Sequence, residues 1–347
     1  MTRRVVRLAS DGPPLLDIFS AGRAGSPERL SLAQVDQIRR TVRRVPEVMV
    51  KVTGGGRSVR AVVAHLVYIG HHGEMELETD RGERVPENRP EELLKTWHLE
   101  VSAGQYRPKG TAPFVTSGIK LVHNVVLAMP AGTPPAKVLA ATKAFAREWF
   151  GDQHRYLMAL HTHQQHPHVH LVVKAEREDG RGRLHIDKAM LREWRQDFAR
   201  MMREQGIPAN ATPRSMRGQT KRATKDEFYR TRQRGESYAL REKLDGVVRE
   251  LSQAQTISDP ARARLLKTRE SLVAGWNAVA AKLEAQREII LGGEVRYFAM
   301  HLPPVLTDRE RLAAELLQYA KESRSARTPG GDRVRDRTLE RARWDIA

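Results

Sequence analysis

The sequence predicts an α/β or α+β domain whose sheet is antiparallel and covered by helices, followed by a mostly helical region. Three observations carry this expectation. Short apolar runs of strand length alternate with segments of helical spacing between about residues 46 and 215. Two of those runs, Tyr156 to Leu160 and Leu171 to Val173, flank one short polar stretch and so form a hairpin, which is an antiparallel pair. Beyond residue 216 β-branched runs become scarce and basic helix-forming sequence takes over.

Residues 1–45 read as a basic arm rich in Arg, Gly, Pro and Ser, loosely ordered, with at most a short helix near Leu32 to Val42. Val48 to Val52 is a strand broken by Gly54-Gly55-Gly56, and a helix opens at Ser58 as N-cap and closes at Gly70. Ile119 to Met129 is a second buried strand, ended by Pro130-Ala131-Gly132. Thr133 caps the next helix with Pro134 at its first position; Val138, Leu139, Phe145 and Trp149 form its apolar stripe and Gly151 stops it. After the hairpin come a glycine-rich turn at 180–182, a short strand at Leu184 to Ile186 and a helix from Lys188 to Gln205 carrying Leu191, Trp194, Phe198 and Met201. The pattern divides the chain into the arm, a core domain over 46–215, a basic helical region over 216–325 interrupted near Gly292-Gly293 and Pro303-Pro304, and an Arg-rich tail over 326–347.

At 347 residues the chain has room for one large or two ordinary domains. Lys plus Arg number 60 against 42 Asp plus Glu, a formal charge of +18, and this excess points to a polyanionic partner. The basic residues are mixed into helix-forming sequence, which favours nucleic acid over a membrane surface. With no cysteine, disulfides, thiolate metal sites and cysteine nucleophiles are excluded, so a metal must use histidine or oxygen ligands. No apolar run reaches membrane-spanning length, and the expected location is the cytoplasm.

Five of the thirteen histidines fall within His161 to His170. Strand alternation puts His168 and His170 on one face, and an antiparallel partner ending at His161 brings a third imidazole beside them. Three imidazoles on one face suit a divalent ion. On the helix from Ser58 to Gly70, Val59, Val62, Val63, Leu66 and Ile69 share a broad face, and Tyr68 falls opposite, beside the small Ala61 and Ala64. A phenol attacks a phosphodiester that a divalent ion polarises, so a tyrosine, three histidines and a basic surface point to DNA transesterification.

Three blocks carry a family resemblance: Val52-Thr53-Gly54-Gly55-Gly56 leading to His65-Leu66-Val67-Tyr68; Val125 to Thr133 followed by Ala144 to Gly151; and His161 through His170 running into Leu171-Val172-Val173. With Trp194 to Gly206, the likeness spans about residues 46–230 and resembles the relaxase/mobilisation nucleases, histidine-hydrophobe-histidine endonucleases nearest to those that nick transferred-DNA borders in plant-tumour-inducing plasmids. The resemblance implies an α+β fold with an antiparallel sheet of about five strands, Tyr68 as nucleophile, and His161, His168 and His170 as metal ligands. The family usually has an acid two positions after its first histidine, where this chain has His163. His163 is therefore open as base, fourth ligand or bystander, Glu100 and Asp187 are possible substitutes for the acid, and His166 reads as a loop residue contacting phosphate.

The implied reaction is nicking of one strand at a transfer origin through a 5′-phosphotyrosine intermediate. Mg²⁺ or Mn²⁺ is the cofactor the family implies, although three imidazoles also suit Zn²⁺. Arg57, Lys109, Arg181, Arg183, Arg214 and Arg217 are candidates for the backbone of single-stranded DNA. Two alternatives stand beside this: a catalytically impaired DNA-binding or accessory protein of the same fold, and a metallo-β-lactamase-type hydrolase built on His161, His163 and His166. Implied partners are accessory relaxosome proteins and a type IV coupling protein, with no membrane insertion but possible export with DNA. The tail from Arg324 through Arg343 resembles a basic export signal, and Arg-rich tails equally often make non-specific DNA contacts, in which case nicking and transfer would fall together on its deletion. On the export reading its deletion is expected to lower DNA transfer between cells while leaving nicking of an oligonucleotide unchanged, as measured by mating frequency and a cleavage gel in parallel.

Overall fold

The computed structural model describes residues 29–70, 76–85, 90–99, 119–220, 238–253 and 260–325. It divides into two compact units, one of residues 43–211 and one combining 1–42 with 212–347. The expected tail, Lys109, Glu100 and the first 28 residues lie outside the described residues.

The first unit is built on a sheet. In chain order its elements are β1 (Met49–Gly54), α2 (Val59–Ile69), β2 (Leu77–Thr79), β3 (Arg84–Val85), α3 (Pro90–Lys95), β4 (Val122–Ala128), α4 (Pro135–Phe150), β5 (Tyr156–His161), β6 (His168–Lys174) and α5 (Lys188–Glu204), α1 (Leu32–Val42) belonging to the other unit. The strands run β1-β4-β6-β5-β2-β3, every neighbouring pair antiparallel. The fold is thus α+β, with an antiparallel sheet of six strands among the described residues where the resemblance implied about five. A short hairpin, β2–β3, is laid on the β5 edge with Leu77 opposite Ala159.

Strand parity sorts the core into two layers. Val125, Leu127, Tyr156, Met158, Val169, Leu171 and Val173 face α4 and α5, where Phe145, Phe150, Trp194 and Phe198 are fully buried. Their rings meet edge to face at centroid distances of 5.6 to 6.4 Å, the geometry aromatic quadrupoles favour. The other face presents Val122, Leu157, Ala159 and Val172 to Val62, Leu66 and Ile69 of α2 and to Trp97 after α3. A buried ion pair fastens the edge hairpin: Arg155 Nε donates to Asp80 Oδ2 at 2.7 Å.

Local chemistry explains the boundaries. The Ser58 side chain accepts from the Ala61 amide at the start of α2, and the Gly70 amide closes its end on the Leu66 carbonyl. The α4 boundary differs from expectation. Pro134 is extended because Pro135 follows it, so Pro135 takes the first turn, and the Thr133 hydroxyl bonds the Pro130 carbonyl instead of capping. The strand expected at Leu184 to Ile186 does not form. Arg183 makes one bridge to Glu176, and the Leu184 carbonyl accepts from His123 Nε2 at 3.1 Å instead of from a strand.

The second unit is helical: α1, a 3₁₀ turn (Arg214–Arg217), α6 (Tyr238–Gln253), α7 (Pro260–Ala285), α8 (Ile289–Met300) and α9 (Asp308–Ser325). Helix α1 takes the bounds of the short helix expected near Leu32 to Val42, but it is not loosely ordered: its Val35 and Ile38 are buried with Trp276, Val279, Leu283 and Phe298. Its order comes from an apolar stripe with a partner far along the chain. Gly292 and Gly293, expected to break a helix, lie inside α8. A Cβ on Gly292 would stand 2.7 Å from the Glu284 side chain, so this glycine serves a close approach of α8 to α7. The break sits instead between those helices, where Arg287 is left-handed at φ 68°.

Two predictions follow from the packing of the sheet unit. A Cβ on Gly55 would lie 2.3 Å from the backbone oxygen of Val122, which cannot rotate away. Gly55→Ala is expected to cost about 1–3 kcal/mol, the range for overpacking, read as a lower denaturation midpoint at unchanged m-value. His123, held chiefly by burial, is pushed down to about 4 from its ordinary 6.5, and burial lowers the nearby His154 as well. Below pH 6.5 the unfolded chain binds protons that these folded imidazoles refuse, so stability is full above 6.5 and falls as pH drops toward 4. In His123→Gln, which keeps a donor for Leu184, thermal melts between pH 7 and 4.5 should show a shallower loss than in the wild type.

Candidate functional site

The β5–β6 pairing sets His161 directly opposite His168, with His170 opposite Ala159. All three histidines fall on the α2 face of the sheet, in parity with Leu157 and Val172. Their ring centroids are 4.4 Å (His161–His170), 5.1 Å (His161–His168) and 5.2 Å (His168–His170) apart. One nitrogen from each lies within 4.8 Å of the others, near enough for small side-chain rotations to bring all three onto one ion. His161 and His168 are buried.

Backbone carbonyls fix two of the rings. His161 Nε2 donates to the Ile69 carbonyl at 2.7 Å, and a ring that donates from Nε2 can ligate only through Nδ1. His168 Nδ1 donates to the His166 carbonyl at 3.0 Å, which turns its Nε2 to the ligand role. Burial, followed by the neighbouring His161, pushes His170 down to about 3, and burial also lowers His168. These imidazoles are therefore neutral at physiological pH, the form that binds metal.

Tyr68 is 55% exposed near the end of α2, on the side opposite Val62, Leu66 and Ile69. The ring of His65, one turn earlier, stacks on it at 6.3 Å with planes 26° apart. The same His65 ring meets His170 edge-on at 6.3 Å. His65 is half-buried, its Nε2 is enclosed with no hydrogen-bond partner among the described residues, and burial lowers its pKa. The sequence reading quoted His65 within a motif but gave it no role. Its spacing of three from Tyr68 was the available signal, since such residues neighbour each other on a helix.

The remaining site residues fall in several places. His163 is exposed in the hairpin loop, its ring 5.2 Å from His161 and 6.2 Å from His168. His166 is exposed in the same loop, so the grouping His161-His163-His166 of a metallo-hydrolase is not the one gathered; the gathered set among the described residues is His161, His168 and His170. Asp187, a possible stand-in for the missing acid, is the N-cap of α5 and accepts from the Met190 amide. Arg57 is exposed in the loop before α2. Arg181 is exposed in the glycine-rich turn, whereas an Arg183 guanidinium nitrogen donates to the Lys120 carbonyl. Arg214 and Arg217 flank the 3₁₀ turn of the helical unit.

An antiparallel sheet with three imidazoles gathered on adjacent strands, beside a helix that carries a tyrosine in its last turn, is the arrangement expected of a histidine-hydrophobe-histidine nuclease domain. Residues 81–207 match the family described as Relaxase: MobA/VirD2-like, nuclease domain, a stretch that lies within the sheet unit. The matched stretch holds the histidine hairpin and begins after α2. Similar curated proteins are the T-DNA border endonucleases VirD2 of Agrobacterium fabrum, 27% identical over 200 residues, and of Rhizobium rhizogenes, 28% identical over 177 residues. These alignments cover 54% and 48% of this chain and 44% and 40% of the relatives, so the chain spans less than half the length of the proteins it matches. Among the described residues no helix is long and apolar enough to cross a membrane.

Proposed function

We propose that the sheet unit is a DNA relaxase that nicks one strand at a transfer origin by tyrosine transesterification. One observation carries the reading: the His161–Ile69 hydrogen bond ties the end of the Tyr68 helix to the imidazole triad, so the phenol and the triad serve one substrate phosphate. In the proposed step the Tyr68 oxygen bonds to phosphorus as the bond to the 3′ oxygen breaks. The phenol gives up its proton and the 3′ oxygen gains one, which leaves a 5′-phosphotyrosine and a 3′-hydroxyl. One phosphodiester replaces another, so the same site can rejoin the ends.

The donor chemistry fits a divalent ion, with His161, His168 and His170 holding it. When bound, it would neutralise charge on the phosphate oxygens. Mg²⁺ or Mn²⁺ is the family's expected choice, and the all-imidazole set also suits Zn²⁺. Arg57, His166, Arg181 and Arg183 are the proposed donors for the DNA backbone, with Lys109, Arg214 and Arg217 as further candidates. Accessory proteins of a relaxosome and a type IV coupling protein complete the proposed partners, in the cytoplasm of the donor cell.

The test is a denaturing gel of protein mixed with Mn²⁺ and single-stranded oligonucleotides tiling the transfer origin of its own element. A protein band shifted by the mass of the cleaved DNA is expected, lost on adding a chelator and absent in Tyr68→Phe. The same variant should bind the oligonucleotide within a few-fold of wild type. Binding with no covalent band from the wild type would instead assign a DNA-binding accessory role.

A further inference from the structure

His65 stands between the two halves of the site. Its ring packs almost parallel against Tyr68 on one side and edge-on against His170 on the other, both at 6.3 Å. A ring nearly parallel to the phenol turns its π face, not its nitrogens, toward it, so His65 is poorly placed to take the phenolic proton directly. Its Nε2 is nonetheless enclosed and has no hydrogen-bond partner among the described residues. Buried polar groups in native structures are nearly always satisfied, and an exception calls for a reason. A histidine used only for packing would cost less as a leucine or phenylalanine at the same position.

We propose that His65 is a catalytic residue in its own right, whose Nε2 donates a hydrogen bond to a non-bridging oxygen of the scissile phosphate and so seats phosphorus between the Tyr68 oxygen and the triad. This rests on the nicking reading above and adds to it a second, non-metal grip on the phosphate. On this proposal the ring has two duties: its face sets the plane of the phenol, and its edge nitrogen, enclosed in the structure without DNA, is uncovered by a small ring rotation when the phosphate seats. A donor aimed at a phosphoryl oxygen helps most when charge builds there in the transition state, so its removal should slow chemistry more than it weakens binding.

Two variants separate these duties. His65→Phe keeps the aromatic face without the nitrogen, and His65→Gln returns an amide donor near the position of Nε2. Each is mixed with Mn²⁺ and the cleaved oligonucleotide under single-turnover conditions, with oligonucleotide affinity, Mn²⁺ binding without DNA and thermal melting measured alongside. His65→Phe is expected to form the covalent band about 100-fold more slowly than wild type, with oligonucleotide and Mn²⁺ affinities within about threefold. His65→Gln should recover part of that rate. If His65→Phe cleaves as fast as wild type, the proposal is overturned. It is equally overturned if His65→Gln is as slow as His65→Phe while both melt like wild type, or if Mn²⁺ binding falls in step with rate. A wild-type protein that makes no covalent band overturns the nicking reading, and this inference with it, whereas each other outcome bears on His65 alone.

Discussion

The site depends on the hydrogen bond from His161 Nε2 to the Ile69 carbonyl. Ile69 is the last residue of α2, and the carbonyls of a helix's last turn have no partner within the helix. One is taken by the Gly70 amide through Leu66, and His161 takes that of Ile69. A single contact thereby satisfies an orphan acceptor, sets the tautomer of a ligand and fixes the height of the helix over the sheet. It also aims the negative end of the α2 dipole at the imidazole cluster, where a cation gains from it. A rotation of α2 that moved Tyr68 away would have to break this buried bond.

The sheet supplies the other half of the constraint. Because side chains alternate, β5 and β6 cannot present His161, His168 and His170 to α2 without presenting Leu160, Val169 and Leu171 to the opposite layer. A shift of register by one residue would bury the imidazoles among Phe145 and Trp194 and turn the valines outward. The aromatic cluster on α4 and α5 therefore guards the site from the far side of the sheet. Its cohesion, spread over several edge-to-face contacts, makes the histidine face the only one these strands can offer to α2.

Much of this was legible in residues alone, and the reason is local. The hairpin and the α2 helix announce themselves by periods of two and of 3.6, and parity fixes which histidines meet. The edge hairpin β2–β3 was not legible because Leu77–Thr79 and Arg84–Val85 are too short to show a period and carry Glu78 and Arg84. Helix α1 was legible near Leu32 to Val42, but its order was not: the burial of Ile38 depends on Trp276 and Val279, which no window of sequence around it contains. Gly292 misled because glycine breaks helices when exposed and permits close packing when buried, and only a neighbour such as Glu284 tells the two apart. His65 was overlooked because a histidine within an apolar helix passes as a packing residue until its nitrogen is seen to lack a partner.

The replacement of the family's acid by His163 changes the electrostatics of the site. A carboxylate beside the triad would hold a negative charge close to a bound cation and offset part of its field. His163 carries no negative charge to offset it, and its ring lies 5.2 Å from His161. On the proposed reading a phosphate would therefore meet a more positive site than a carboxylate-bearing one presents, which would lower the cost of the charge that develops on its oxygens. The same exchange puts an imidazole, a stronger base than a carboxylate, where the family has its acid. On the proposed reading the phenol would be held in place by the stacked His65 and by the His161–Ile69 tie.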